Sequence, residues 1–176
     1  FEYYSEDQKE RLARALKAEK YHDSNNPELY TMDITPYSYQ QEILDKLNAE
    51  REVRGYYRNL VVAATGTGKT VISALDYKRF RKQNPDKPCR LLFVAHREEI
   101  LKQAAESFRN VRNSDDYGFF MGEVKDTDKS LIFASVASLG KKEYLNNKYF
   151  EEDYFDYIVI DEFHHAVSSQ YQNIIE

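Results

Sequence analysis

Ala64-Thr65-Gly66-Thr67-Gly68-Lys69-Thr70 brings two glycines, a lysine and a hydroxyl into one short stretch. Glycines let a backbone curl until successive N–H groups face inward and surround a phosphate. Thr65, Gly66, Thr67 and Gly68 would form such a cradle. Lys69 would reach the β- and γ-phosphates of a nucleoside triphosphate as a point charge, and the Thr70 hydroxyl would ligate Mg²⁺. The general pattern G-x-x-x-x-G-K-[ST] carries glycine where this chain has Ala63.

Much further along, Asp161-Glu162-Phe163-His164-His165 follows the apolar run Tyr157–Ile160. Alone, an acidic pair after a strand commonly caps a helix. Beside a phosphate cradle it has other uses: Asp161 can hold Mg²⁺, and Glu162 can orient or deprotonate a water facing the γ-phosphate. His164 then makes a hydrogen bond near the γ-phosphate, and His165 is structural. Zinc is rejected, because adjacent histidines diverge and the lone Cys89 lies elsewhere, whereas a tetrahedral site needs four ligands.

These groups need elements to hold them. Ser38-Tyr39-Gln40-Gln41 reads as a capping box opening a helix with Tyr39, Ile43 and Leu47 on one stripe. The β-branched run 60–64 predicts a strand buried on both faces. A helix over 68–83 stops at Asn84-Pro85. Strands are expected at 91–95, 119–121, 131–134 and 157–160, and the helix after 91–95 turns Ile100, Leu101, Ala104, Ala105, Phe108 and Val111 to one side. Alternation of this kind gives an α/β fold, a mostly parallel sheet sandwiched by helices, with ligands at the carboxyl ends of the strands. Ahead of it, residues 1–35 read as a helix begun by Ser5-Glu6-Asp7-Gln8, with a thin stripe of Leu12, Ala15 and Leu16, and a connector.

Composition sets the outer limits. The 176 residues are 41% hydrophobic and 31% charged, enough for one core, and no apolar run is long enough to span a bilayer. A single cysteine and the lack of a leader predict a cytoplasmic protein. The formal charge of −5 argues against a surface that binds nucleic acid everywhere, and leaves room for a local amide-lined track. The chain opens on Phe1 rather than methionine, which predicts a piece of a longer protein.

Together these motifs resemble the first RecA-like domain of a superfamily 2 helicase of the DExH kind, a P-loop NTPase. The resemblance runs over 36–176. Residues 63–70 are similar to motif I, where alanine at the first position is common, and Asp161-Glu162-Phe163-His164 is similar to motif II. Tyr39-Gln40 resembles the Q motif, whose glutamine reads the adenine edge; an amide can both accept from N6 and donate to N7. Residues 94–103, with His96, Arg97 and Gln103, are similar to motif Ia, and 133–139, with Ser135 and Ser138, to motif Ib. Both follow strands and would meet nucleic-acid phosphates, contacts that position a strand without reading it. Asp-Glu-Phe-His-His and His-Arg-Glu-Glu look most like the DNA-directed group that includes the type III restriction enzyme motor subunit.

The resemblance implies an ATP- and Mg²⁺-dependent DNA helicase or translocase, with DNA favoured over RNA. It also implies a second RecA-like domain elsewhere in the full-length chain, and nuclease or restriction subunits as partners. Motif III and the second domain's arginines are not in the 176 residues, so this piece alone is expected to hydrolyse ATP very slowly or not at all. A non-catalytic nucleotide-gated binding module and an RNA-directed helicase stay open as alternatives. A small-molecule kinase lacks its arginine-rich lid and leaves Gln40 and the acidic pair unexplained.

Overall fold

A computed structural model of the chain describes residues 34–64, 66–139, 150–151 and 153–161. The expected N-terminal helix, Thr65, and Glu162 through His165 lie outside the described residues. The chain divides into two units, Phe1–Met32 and Asp33–Glu176, and every described element belongs to the second.

The elements are α1 (Ser38–Glu52), α2 (Lys69–Gln83), β1 (Leu91–Ala95), α3 (Glu98–Arg112), β2 (Tyr117–Met121), β3 (Val124–Lys125), β4 (Leu131–Ser135), α4 (Val136–Leu139) and β5 (Tyr157–Ile160). They build a five-stranded sheet in the order β3-β2-β4-β1-β5. β2, β4, β1 and β5 run parallel, with Ala95 beside Ser135 and Val94 beside Ile160. Only the two-residue β3 is antiparallel, forming a tight return on β2. Sequence reading misses it because two residues carry no period.

Side chains alternate across the sheet, as strand geometry requires. Leu91, Phe93 and Ala95 join Leu131 and Phe133 on the face covered by α2 and α3. Leu92, Val94, Ile132 and Ala134 face the other way, towards Val136, Leu139 and Phe150. The first face is centred on Phe93, Phe108 and Phe133, whose ring centroids lie 5.6–5.8 Å apart. α3 forms as its spacing predicts: Leu101, Ala104, Ala105, Phe108 and Val111 are buried, with Ile100 packed at the margin. From the middle of α2, Tyr77 donates its hydroxyl to the Cys89 carbonyl oxygen and so fixes the segment leading into β1. Cys89 is 1% exposed, with a left-handed φ of 52°.

Two expectations are corrected. Residues 60–64 form no strand: among the described residues β5 is the outermost strand on that side, and Leu60 and Val62 stand 70% and 86% exposed. β-branched composition fits a pleated surface only where a paired neighbour and a covering layer supply one; the run has neither. On α1, the N-cap is Tyr37, one residue ahead of Ser38, and the buried positions are Gln40 and Leu44 in place of the Tyr39–Ile43–Leu47 stripe. A buried polar side chain at position 40 turns the inward face by one residue, and apolar spacing cannot register that.

Candidate nucleotide-binding site

α2 fixes the geometry of the site. A short turn joins its C-terminus to the amino end of β1, so helix and strand run antiparallel. Fifteen residues at 1.5 Å each make α2 about 22 Å long, enough to carry Lys69 back to the carboxyl edge of the sheet. Asp161 stands on that same edge: it directly follows β5, and its N–H donates to the Val94 carbonyl at the end of β1 over 2.9 Å.

The phosphate loop is bent by two left-handed glycines, Gly66 at φ 81° and Gly68 at φ 75°. Thr67 lies between them; its hydroxyl and its N–H both donate to the Ala64 carbonyl, at 2.7 and 3.3 Å. Lys69 folds its ammonium onto the Ala63 carbonyl at 3.2 Å. Gly68 is the N-cap of α2 and brings no side-chain cap, and the first turn contains no acidic residue. The leading N–H groups of a helix have no intrahelical acceptors, so this end suits an anion. At Gly66 a Cβ would meet nothing within 4 Å; backbone conformation, not crowding, calls for glycine there.

α1 grips this loop from outside. Gln40 is 4% exposed; its Oε1 accepts from the Tyr37 N–H at 3.0 Å and its Nε2 donates to the Thr67 carbonyl at 3.1 Å. Tyr39 donates its hydroxyl to the same carbonyl at 3.0 Å. Sequence reading placed Tyr39 on the apolar stripe and missed this grip; a tyrosine in the first turn beside the glutamine was its only signal. An amide has two N–H groups and two lone pairs, so Gln40 keeps one donor and one acceptor for a ligand.

The other candidates gather on the same edge. His96 and Arg97 are exposed immediately after β1, next to Ser135 at the tip of β4. Ser135 is already engaged: its Oγ accepts from the Ser138 N–H at 3.2 Å, and both serines are buried. Gln103 is exposed further along α3. The first turn of α3 carries Glu98 and Glu99, which satisfy the dipole end a phosphate would use. Thr65, Glu162 and His164 lie outside the described residues.

Among the described residues no three His, Cys, Asp or Glu side chains converge as a metal cage. Mg²⁺ needs none, since it keeps waters and takes one or two carboxylates together with substrate phosphates. Thr70 and Asp161 have the oxygen chemistry for that role.

Against known proteins, residues 33–176 match the family model described as the type III restriction enzyme, res subunit. The chain belongs to this family. As a ResIII domain it is the first RecA-like domain of a superfamily 2 helicase. It is 30% identical over 148 residues to the Saccharomyces cerevisiae protein IRC3, whose name proposes an ATP-dependent helicase, and covers 20% of that relative's length. The ResIII fold also matches solved structures at 18% identity. One is the UvsW helicase of bacteriophage T4, with a TM-score of 0.62, 81% of this chain and 48% of that one. Another is a nuclease-deletion mutant of the Type ISP restriction-modification enzyme LlaGI with a DNA substrate mimic, with a TM-score of 0.59, 81% of this chain and 16% of that one. The ResIII domain therefore spans a fifth of its curated relative and less than half of these structural neighbours.

Proposed function

We propose that this domain is the ATP-binding half of a DNA helicase or translocase motor. What supports the reading is the left-handed glycine bend at the start of α2, a helix long enough to reach the carboxyl edge of the sheet, where Asp161 follows β5. Gly66, Gly68 and Lys69 hold phosphates, and Gln40 meets the adenine edge with its remaining donor and acceptor. Thr70 and Asp161 hold Mg²⁺, which when bound offsets the charge of the phosphate oxygens. Glu162 takes the proton of the attacking water, and His164 hydrogen-bonds beside it.

His96 and Arg97 contact the phosphates of a nucleic-acid strand, with Ser135, Ser138 and Gln103 shaping the track beside them. LlaGI, a neighbour in fold, is seen with a DNA substrate mimic, which supports DNA over RNA. The second RecA-like domain belongs to the same full-length protein, and nuclease or restriction subunits are its partners, as the family description supports. The test uses the full-length protein and ATP turnover with and without DNA or RNA. Glu162→Gln should keep ATP binding and lose hydrolysis, and Lys69→Ala should weaken ATP binding. Turnover unchanged in Glu162→Gln removes Glu162 as the base, and an unaltered dissociation constant in Lys69→Ala removes the phosphate loop.

A further inference from the structure

Asp76, on α2, is 2% exposed and lies well away from the phosphate loop. Its two carboxylate oxygens take both arms of the Arg51 guanidinium, at 2.8 and 2.5 Å, and Asp76 Oδ2 also accepts from the Tyr157 hydroxyl. Such a forked pair fixes direction as well as distance. Arg51 sits at the end of α1, the helix that begins with Tyr39 and Gln40 on the loop carbonyl. Tyr157 opens β5, the strand that ends against Asp161. One buried carboxylate thus joins the three elements that carry the candidate adenine reader, phosphate cradle and metal ligand. Two further polar ties between α1 and α2, Arg79 to Asp45 and Gln83 to Asn48, are exposed, and exposed pairs hold weakly.

We infer that Asp76 is a positioning residue for nucleotide binding, its Arg51 arm setting the adenine end of the site and its Tyr157 arm setting the metal end. This rests on the motor reading above. α1 is held to the loop at its start and to Asp76 at its finish; releasing the second hold lets the helix pivot and draws Gln40 off the Thr67 carbonyl. Among the described residues β5 is an edge strand paired only with β1, so the Tyr157 bond steadies its register and with it the height of Asp161. Burial raises the Tyr157 hydroxyl above its ordinary range, and the Asp76 charge adds to this, so the phenol stays a donor at neutral pH.

Removing Asp76 outright would leave Arg51 buried without a partner, so the test uses milder changes in the full-length protein. Tyr157→Phe keeps the ring packing on Tyr77 and Phe80 and loses only the hydroxyl. Arg51→Lys keeps the charge and loses the fork. Both are read by equilibrium binding of ATP and GTP with and without Mg²⁺, which needs no turnover. Arg51→Lys should cut the preference for ATP over GTP by about tenfold and leave the gain in affinity from Mg²⁺ intact, a change well above the scatter of such ratios. Tyr157→Phe should do the reverse. Lowered melting temperatures with both ratios unmoved, or both ratios falling together in both variants, overturn the assignment. Wild-type protein that binds ATP but turns none over on any nucleic acid defeats the motor reading, while the binding ratios still decide the role of Asp76.

Discussion

Gln40 and Gly68 touch across two helices: a Cβ built on Gly68 would lie 2.8 Å from Gln40 Nε2. The amide that holds the loop therefore also fixes what the loop can be made of. Gly68→Ala meets this contact and a φ of 75°, a left-handed conformation that costs a residue with a Cβ about 1–2 kcal/mol. We expect a lower melting temperature and a weakening of ATP binding of roughly tenfold or more, because Gln40 must leave the Thr67 carbonyl. Nucleotide titration of the full-length variant checks it; wild-type affinity would show that the Gln40 contact is dispensable.

Tyr39→Phe isolates the outer hold on the loop. The hydroxyl is one of two donors on the Thr67 carbonyl, and the ring is exposed, stacked on Tyr37 at 5.9 Å. One such bond contributes about 0.5–1.5 kcal/mol. ATP affinity should fall about three- to tenfold, with at most a small drop in melting temperature. A drop in stability with normal binding would make Tyr39 a packing residue only.

Phe133→Ala probes the support beneath the site. Phe133 is fully buried among Phe93, Phe108, Tyr117 and Phe119. Truncating a core aromatic to alanine costs about 3–5 kcal/mol. Denaturant unfolding should show a loss in this range, and a value under about 1 kcal/mol would mean the site had collapsed around the smaller side chain.

Legibility followed the distance over which each signal acts. The bends at Gly66 and Gly68 could be read directly, because spacing within a few residues dictates the loop. The buried face of α3 could be read for the same reason, with its period intact from Leu101 to Val111. Residues 60–64 misled, since strand formation depends on a neighbour that local composition does not encode. The Arg51–Asp76–Tyr157 cluster was invisible because its members are distant in sequence and each alone resembles an ordinary helix or strand residue. The grip of α1 was half visible: Gln40 stood out as a possible adenine reader, while its bonds to Tyr37 and Thr67 needed the fold.

Alkaline unfolding should report Tyr77. Burial raises its hydroxyl from the ordinary 10.0 to about 12, so the unfolded chain loses this proton before the folded one does. Stability from this group is whole below pH 10.0 and drains away as pH climbs towards about 12. Tyr77→Phe should flatten that part of the decline, leaving the part due to Tyr157, also raised by burial. Denaturation midpoints across the alkaline range measure it; identical slopes for the variant and wild type would contradict the shift.

Cys89 is the sole thiol of the 176 residues, sealed beneath the Tyr77 hydroxyl with its sulfur 3.4 Å from the Asn84 carbonyl oxygen. An alkylating dye cannot reach it until the corner between α2 and β1 comes apart, and burial also holds the thiol protonated and sluggish. The domain thus contains a native stopwatch: labelling speed counts how often that corner breathes, and slower labelling with ATP present would reveal that filling the cradle tightens the far end of its helix.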